Sequence, residues 1–278
     1  MDAALIRDAF VATRRLPGAY LGQHAEDQRL VGGGHLHDGT VARALGIAGR
    51  STVAEEVIIA RDIALARITG GRYHVLHLSS AEGVALVRNA NAAGIHVTAE
   101  GTPQHLTLTD ERLRGGDALF KMNPPLRSAD HMSALRSGLV DHTIDAIATD
   151  HAPHLTEDKA RPIVVAPPGM TGLETAMAAI NTELVVPGIL SLSDLVAAFT
   201  WRPAAIAGLA THGHGGPIRV GAGANLTVFD PTATWMVDPS RLGSKGHNNP
   251  YRGRVLQGRV RHSVLRGVPT AIDAGATR

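Results

Sequence analysis

Asp145-Ala146-Ile147-Ala148-Thr149-Asp150-His151-Ala152-Pro153-His154 is the stretch that decides how this chain is read. A short apolar strand stops abruptly in a carboxylate flanked by histidines, and burying such a strand against ionisable groups is costly unless those groups do chemistry. Two other runs end in the same way. Ala19-Tyr20-Leu21-Gly22-Gln23-His24 leads into Ala25-Glu26-Asp27, and Tyr73-His74-Val75-Leu76-His77 leads into Leu78-Ser79-Ser80. The C-terminal ends of successive strands in a parallel β/α barrel converge on one rim. His24, His77 and Asp150 are therefore the candidate ligands of a metal, since zinc takes imidazole nitrogen and carboxylate oxygen. Such a site points to metal-assisted hydrolysis.

Outward from those strand ends, strands alternate with helices and short Gly punctuation, the pattern of parallel strands covered by helices. The chain predicts a helix over 2–15, stopped by Pro17-Gly18, and a long amphipathic helix from Ser51-Thr52 to Thr69. Thr52 and Glu55 have capping-box spacing there, and Gly70-Gly71 is the exit. A helix over 81–93, a strand over 95–99, a strand over 144–148 and a helix over 173–184 complete the pattern. Four strands result, whereas a closed barrel of this kind has eight. The expected fold is α/β: a partial metal-dependent-hydrolase barrel over 1–215, with its interior face open, followed by a small C-terminal β segment over 216–278. In that tail, 225–229, 234–237 and 253–266 read as short strands.

Composition narrows the function classes. The 278 residues are 44% hydrophobic, enough for a sizeable core, and the formal net charge is +2 with basic residues scattered along the chain. Nucleic acid is not an expected partner, and no apolar run approaches the roughly 20 residues of a membrane span. Without cysteine, any metal must rely on His, Asp, Glu or a modified Lys. The first residues have neither a basic nor an apolar leader region, so the expected location is cytoplasmic.

Longer motifs make the reading specific. Gln23-His24-Ala25-Glu26-Asp27, Leu76-His77-Leu78-Ser79-Ser80, Val97-Thr98-Ala99-Glu100-Gly101-Thr102-Pro103-Gln104-His105-Leu106, Asn123-Pro124-Pro125-Leu126-Arg127, the run to His154, Ala166-Pro167-Pro168-Gly169-Met170-Thr171-Gly172-Leu173-Glu174-Thr175 and Asn248-Asn249-Pro250-Tyr251 occur in this order. In these motifs the chain resembles the C-terminal two-thirds of the bacterial class I dihydroorotases, in the cyclic amidohydrolase branch of the amidohydrolase superfamily. The resemblance implies reversible, zinc-dependent interconversion of dihydroorotate and N-carbamoyl-L-aspartate in pyrimidine biosynthesis. It implies His24 and His77 on one zinc of a pair, and Asp150 as ligand of the other and general base. Asn123, His154 and the backbone at Pro168 and Gly169 would meet the substrate. Arg127 suits a substrate carboxylate, with a loop-anchoring role as the alternative. His151 is read as support rather than ligand, and the other histidines, His35, His37, His74 and His131 among them, as surface, core or loop residues.

Two departures stand out. The family's early His-x-His pair and bridging carboxylate or carboxylated lysine have no counterpart ahead of His24: His35-Leu36-His37 follows it in a Gly-rich loop, and the lysines are Lys121, Lys159 and Lys245. The expectation is a truncated chain, inactive alone, holding one zinc or none. Gln104 stands where the family usually has histidine, and Gly101 replaces a β-branched residue. The alternatives are an allantoinase- or hydantoinase-type amidohydrolase, or a non-catalytic dihydroorotase-like partner of aspartate transcarbamoylase. A homodimer is expected.

Overall fold

A computed structural model describes residues 2–273 and the backbone of 275–276. In chain order the strands are β1 Leu21–Gln23, β2 Leu36–His37, β3 Gly49–Arg50, β4 Tyr73–Val75, β5 Val97–Gly101, β6 Ala146–Ile147, β7 Leu226–Met236, β8 Val255–Leu265, β9 Val268–Ile272 and β10 Gly275–Ala276. The predicted strands β1, β4, β5 and β6 lie side by side in that order, all parallel. Gln23 pairs with Val75 and Val75 with Ala99, so β1, β4 and β5 leave the sheet at one edge.

Helices clothe one face of this sheet. The helix Ala3–Thr13 is capped by Asp2, whose carboxylate accepts the Ala4 N–H at 2.9 Å. Val53–Thr69 ends at Gly70 in the left-handed conformation (φ 68°) that closes helices with little strain in glycine. Ala81–Ala92 starts at Ser80, which accepts the Gly83 N–H at 3.1 Å. Phe10, Ile59, Tyr73, Val75, Val87, Ala99, Leu139 and Ile144 pack between helices and sheet as one buried cluster. Each Val, Leu, Ile or Phe side chain among them contributes about 1.5–3 kcal/mol when fully removed from water.

Local patterns failed where tertiary partners outbid them. The capping box at Thr52 and Glu55 does not form: Thr52 makes no side-chain cap bond. Glu55 instead turns inward, and its carboxylate accepts the Ser79 N–H at 3.0 Å and the Ser79 hydroxyl at 3.1 Å. The helix expected over 173–184 is α-helical only from Ala176 to Ile180 and widens to a π turn over Asn181–Val185. At that turn Asn181 donates to the carbonyls of Pro231 and Gln257, and Thr182 accepts the Gln257 N–H, so the widened backbone meets the tail. His35-Leu36-His37 is not simply loop, since Leu36–His37 pairs in parallel with Gly49–Arg50.

The tail is an antiparallel sheet in the order β10-β9-β8-β7. Its strand β7 is continuous through Pro231, with one register shift against β8 at Val228/Phe229 and another across Asp230–Thr234, where the sequence suggested two separate runs. A second core cluster ties this tail to the rim: Tyr251, Val237 and Leu256 pack with Leu36, Phe120, Met122, Leu126 and Met170. The sheet's inner face opens on a cavity of about 810 Å³. His74 and Glu100 line it from the parallel strands, and Thr227, Val264 and Arg266 from the tail.

Candidate active site

His24 and His77 meet at the rim. His24 Nδ1 lies 2.8 Å from His77 Nε2, and the rings stand edge to face at 71° with centroids 4.6 Å apart. His77 is buried at 9% exposure, and no partner among the described residues reaches its Nδ1. Burial and the facing His24 imidazole hold His77 below the ordinary imidazole range, against the pull of the Asp150 and Glu100 charges. Burial thus favours the neutral ring, the form in which histidine ligates a metal.

Backbone geometry marks the same positions. His77 (φ 34°) and Asp150 (φ 46°) are both left-handed, a conformation that costs a non-glycine residue about 1–2 kcal/mol. Such strain persists where the surroundings over-determine it, commonly at functional sites. Asp150 is exposed beyond β6 and acts on His77 through its charge. It does not join the imidazoles in one tight cluster: among the described residues no group of three His, Asp or Glu is placed to hold a metal ion.

The donor set nonetheless suits zinc. Two tetrahedral nitrogen ligands at about 2.0–2.1 Å from the metal lie roughly 3.3 Å apart, so the imidazoles need to part by only a fraction of an ångström. Behind them, Glu26 Oε2 is 3.5 Å from His24 Nε2. Although burial raises it, hydrogen bonding with His24 and the Arg50 charge bring the Glu26 carboxyl down to about 2. A carboxylate on Nε2 keeps the proton there and leaves Nδ1 as the free lone pair, the support that metal-binding histidines usually have.

Asn123 sits across the rim from Glu26, joined through Arg50. Arg50 Nη1 donates to Glu26 Oε1 at 2.7 Å and also to Asn123 Oδ1. Neither Arg50 nor Glu26 was picked out from the sequence as a site residue. The chain turns at a cis Asn123–Pro124 bond, and the buried His105 ring spans that turn. His105 Nε2 donates to the Pro124 carbonyl at 2.9 Å, and Nδ1 takes the Thr102 hydroxyl at 2.6 Å.

Burial pushes the His105 imidazole down to about 3, and burial together with the Arg127 charge brings His37 to about 4. Unfolded histidine titrates near 6.5, at about which both contributions to stability are complete; as pH falls toward the folded values the unfolded state binds the extra protons and those contributions are lost. The urea midpoint should fall between about pH 7 and pH 4, and more gently in His105→Gln. An equal fall in wild type and variant would exclude His105 as a source.

The loop 151–172 carries the remaining candidates. His154 Nε2 donates to the Pro168 carbonyl at 2.8 Å, which brings His154 beside Pro168 and Gly169. Gly169 has φ 121°, and a Cβ there would lie 2.6 Å from the Ala152 Cβ, so only glycine fits. The Gly169 backbone already has partners within the chain. The Gly169 N–H donates to the Lys121 carbonyl at 2.9 Å, while the Gly169 carbonyl accepts Lys159 Nζ at 3.0 Å and Asn248 Nδ2 at 3.1 Å. Lys159 and Lys121 are buried, and their ammonium groups take loop carbonyls, including Ala166 at 2.8 Å from Lys121. His151 Nδ1 accepts the Gly172 N–H at 3.1 Å, consistent with support rather than ligation.

Arg127 is placed differently from the substrate contact expected of it. It is 4% exposed, its Nε donates to the Ser79 hydroxyl at 3.2 Å and its Nη1 to the Arg50 carbonyl at 2.9 Å. These contacts make it a brace inside the wall, the alternative its position in the loop left open. Asn248 and Asn249 were noted only as part of a motif. Asn248 accepts the His154 N–H at 2.9 Å and Asn249 donates to the Thr171 carbonyl at 2.9 Å, so together they stitch the active-site loop to the tail.

Comparison with known proteins gives the family. The Dihydro-orotase-like family model matches residues 3–83. The dihydroorotase of Pelotomaculum thermopropionicum is 47% identical over 93% of this chain and 59% of its own length. That of Streptomyces coelicolor is 45% identical over 99% of the chain and 64% of its own length, so the chain spans about 60% of these curated relatives. Among solved structures, the L-hydantoinase (dihydropyrimidinase) of Arthrobacter aurescens superposes with a TM-score of 0.88 at 26% identity, covering 100% of this chain and 62% of that one. The dihydropyrimidinase of Brevibacillus agri gives 0.85 at 25% identity, covering 99% and 61%. With the Amidohydrolase family model matched over residues 54–268, the chain belongs to the amidohydrolase family.

Proposed function

We propose that this chain carries the greater part of a dihydroorotase, which opens dihydroorotate to N-carbamoyl-L-aspartate and closes it again in pyrimidine biosynthesis. The observation that carries the reading is the approach of His24 Nδ1 to His77 Nε2 at 2.8 Å on adjacent strand ends. The names of relatives at 43–47% identity support dihydroorotate as the substrate. His24 and His77 would hold a zinc ion, with Asp150, whose charge acts on His77, as the proton acceptor beside it. Bound zinc polarises the amide carbonyl and lowers the pKa of water.

The chain's own residues do the rest. Asp150 takes a proton from the attacking water and passes it to the departing ring nitrogen, so that one C–N bond breaks as one C–O bond forms. Asn123, with its oxygen engaged by Arg50, offers its amide N–H groups to a substrate oxygen. His154, held at Nε2 by the Pro168 carbonyl, presents its other edge to the substrate.

Zinc-dependent turnover of dihydroorotate, allantoin and hydantoin tests the reading. It should be measured on the chain alone and on the chain fused to the part of the Streptomyces coelicolor dihydroorotase that it does not span. The fused protein is expected to prefer dihydroorotate, and the chain alone to be inactive for want of further metal ligands. A preference for hydantoin would favour the hydantoinase reading, to which the structural neighbours at 25–26% identity point. Absence of all turnover in a zinc-loaded fusion would leave the non-catalytic reading. Self-association as a homodimer and binding to aspartate transcarbamoylase belong to the same proposal, and sedimentation with and without that purified enzyme tests both.

A further inference from the structure

Arg50 spends nearly all its donors at once. Nε and Nη2 both donate to the Gly34 carbonyl, at 3.3 and 3.0 Å, and Nη1 divides its two protons between Glu26 Oε1 and Asn123 Oδ1. Its backbone is pinned as well: the Arg50 carbonyl accepts Arg127 Nη1 at 2.9 Å and the Asp38 N–H at 3.2 Å. The side chain is 16% exposed and Glu26 is 10% exposed, so solvent screens these contacts little.

Guanidinium has no acceptor. Whatever contacts Arg50 at Asn123 must therefore be the amide oxygen, which fixes an orientation that density or sequence alone would leave open. The other end of the amide, a pure donor, is left for a ligand. The same nitrogen draws Glu26 Oε1, while Oε2 lies 3.5 Å from His24 Nε2. A carboxylate held at one oxygen by Arg50 is pre-aimed at the other toward His24.

We propose that Arg50 is a positioning residue that sets two things from one nitrogen: the donor face of Asn123 toward a substrate carbonyl or carboxylate oxygen, and the Glu26 carboxylate behind His24. The substrate half rests on the dihydroorotase reading, and the metal half on zinc at His24 and His77. Arg50 acts through its neighbours and touches neither the metal nor the reacting atoms.

Zinc affinity, measured by competition with a chromophoric chelator, reads the metal half without turnover. Arg50→Met and Glu26→Gln should each weaken zinc binding about 10-fold or more, as loss of an outer support does. The double variant should be no weaker than Glu26→Gln, because both remove one link. Arg50→Lys keeps the charge but cannot reach both oxygens and Gly34 together, and should rescue only in part. In the fused protein at saturating zinc, Arg50→Met should raise KM for dihydroorotate with kcat little changed. Combined with Asn123→Ala it should add nothing further to KM.

A thermodynamic cycle of urea midpoints between Arg50→Met and Asn123→Ala reads the contact in the metal-free chain, and non-additivity is expected. Zinc affinity unchanged in Arg50→Met overturns the metal half, and additive midpoints overturn the Asn123 half. A wild-type chain that takes up no zinc overturns the zinc reading itself, and the cycle then still decides whether Arg50 orients Asn123. Hydantoin turnover with the same Arg50 effects would sink the dihydroorotase reading and leave the positioning role standing.

Discussion

Asp150→Asn should lower kcat for dihydroorotate in the fused protein by about 10²–10⁴-fold, the usual contribution of a placed general base. The carboxamide keeps the size and one oxygen of the carboxylate but cannot accept a proton from water or return one to the leaving nitrogen. Zinc content should persist, because His24 and His77 face each other independently of residue 150. That split between retained metal and lost turnover separates proton transfer from ligation. Because Asp150 is exposed and left-handed, the substitution is also expected to leave the fold intact, asparagine being tolerated at such backbone angles. Metal lost in proportion to activity would make Asp150 a ligand first and would remove the separate proton-transfer argument.

What the sequence made legible was the part written in short-range contrast. The strands before His24, His77 and Asp150 are apolar runs that end in ionisable groups, and the structure places β1, β4 and β6 in one parallel sheet with β5 between β4 and β6. The two imidazoles were legible as a pair for the same reason. Arg50 and Glu26 were not, because their role depends on the two-residue pairing of β2 with β3, too short to leave any periodicity. Glu55 misled: its spacing from Thr52 satisfies a helix cap, but Ser79, distant in sequence, offers a buried N–H and hydroxyl in its place. The one signal that was available and unused lay in Asn248-Asn249, consecutive amides before a proline in a Gly-rich tail. Such residues have polar groups to satisfy wherever they are buried, and both are.

Arg127→Met should destabilise the chain by about 3–5 kcal/mol, the cost of stripping the partner from a buried charge. Burial lifts the Glu55 carboxyl above the ordinary range, and the Arg127 charge is the largest influence pulling it back. The two are linked through the Ser79 hydroxyl, which donates to Glu55 and accepts Arg127 Nε. Removing the guanidinium raises the Glu55 pKa further, so the folded variant keeps this proton to higher pH than folded wild type does. The penalty relative to wild type is therefore larger at neutral pH and shrinks as pH falls through the raised folded pKa of Glu55, below which both folded proteins hold that proton. A double variant Glu55→Gln with Arg127→Met should cost less than the sum of the singles, since neither charge is then left alone. Urea denaturation across that pH range measures all of this. If Arg127→Met instead kept wild-type stability and raised KM alone, Arg127 would be the substrate-carboxylate partner its sequence position first suggested, and the wall would owe its rigidity to other contacts.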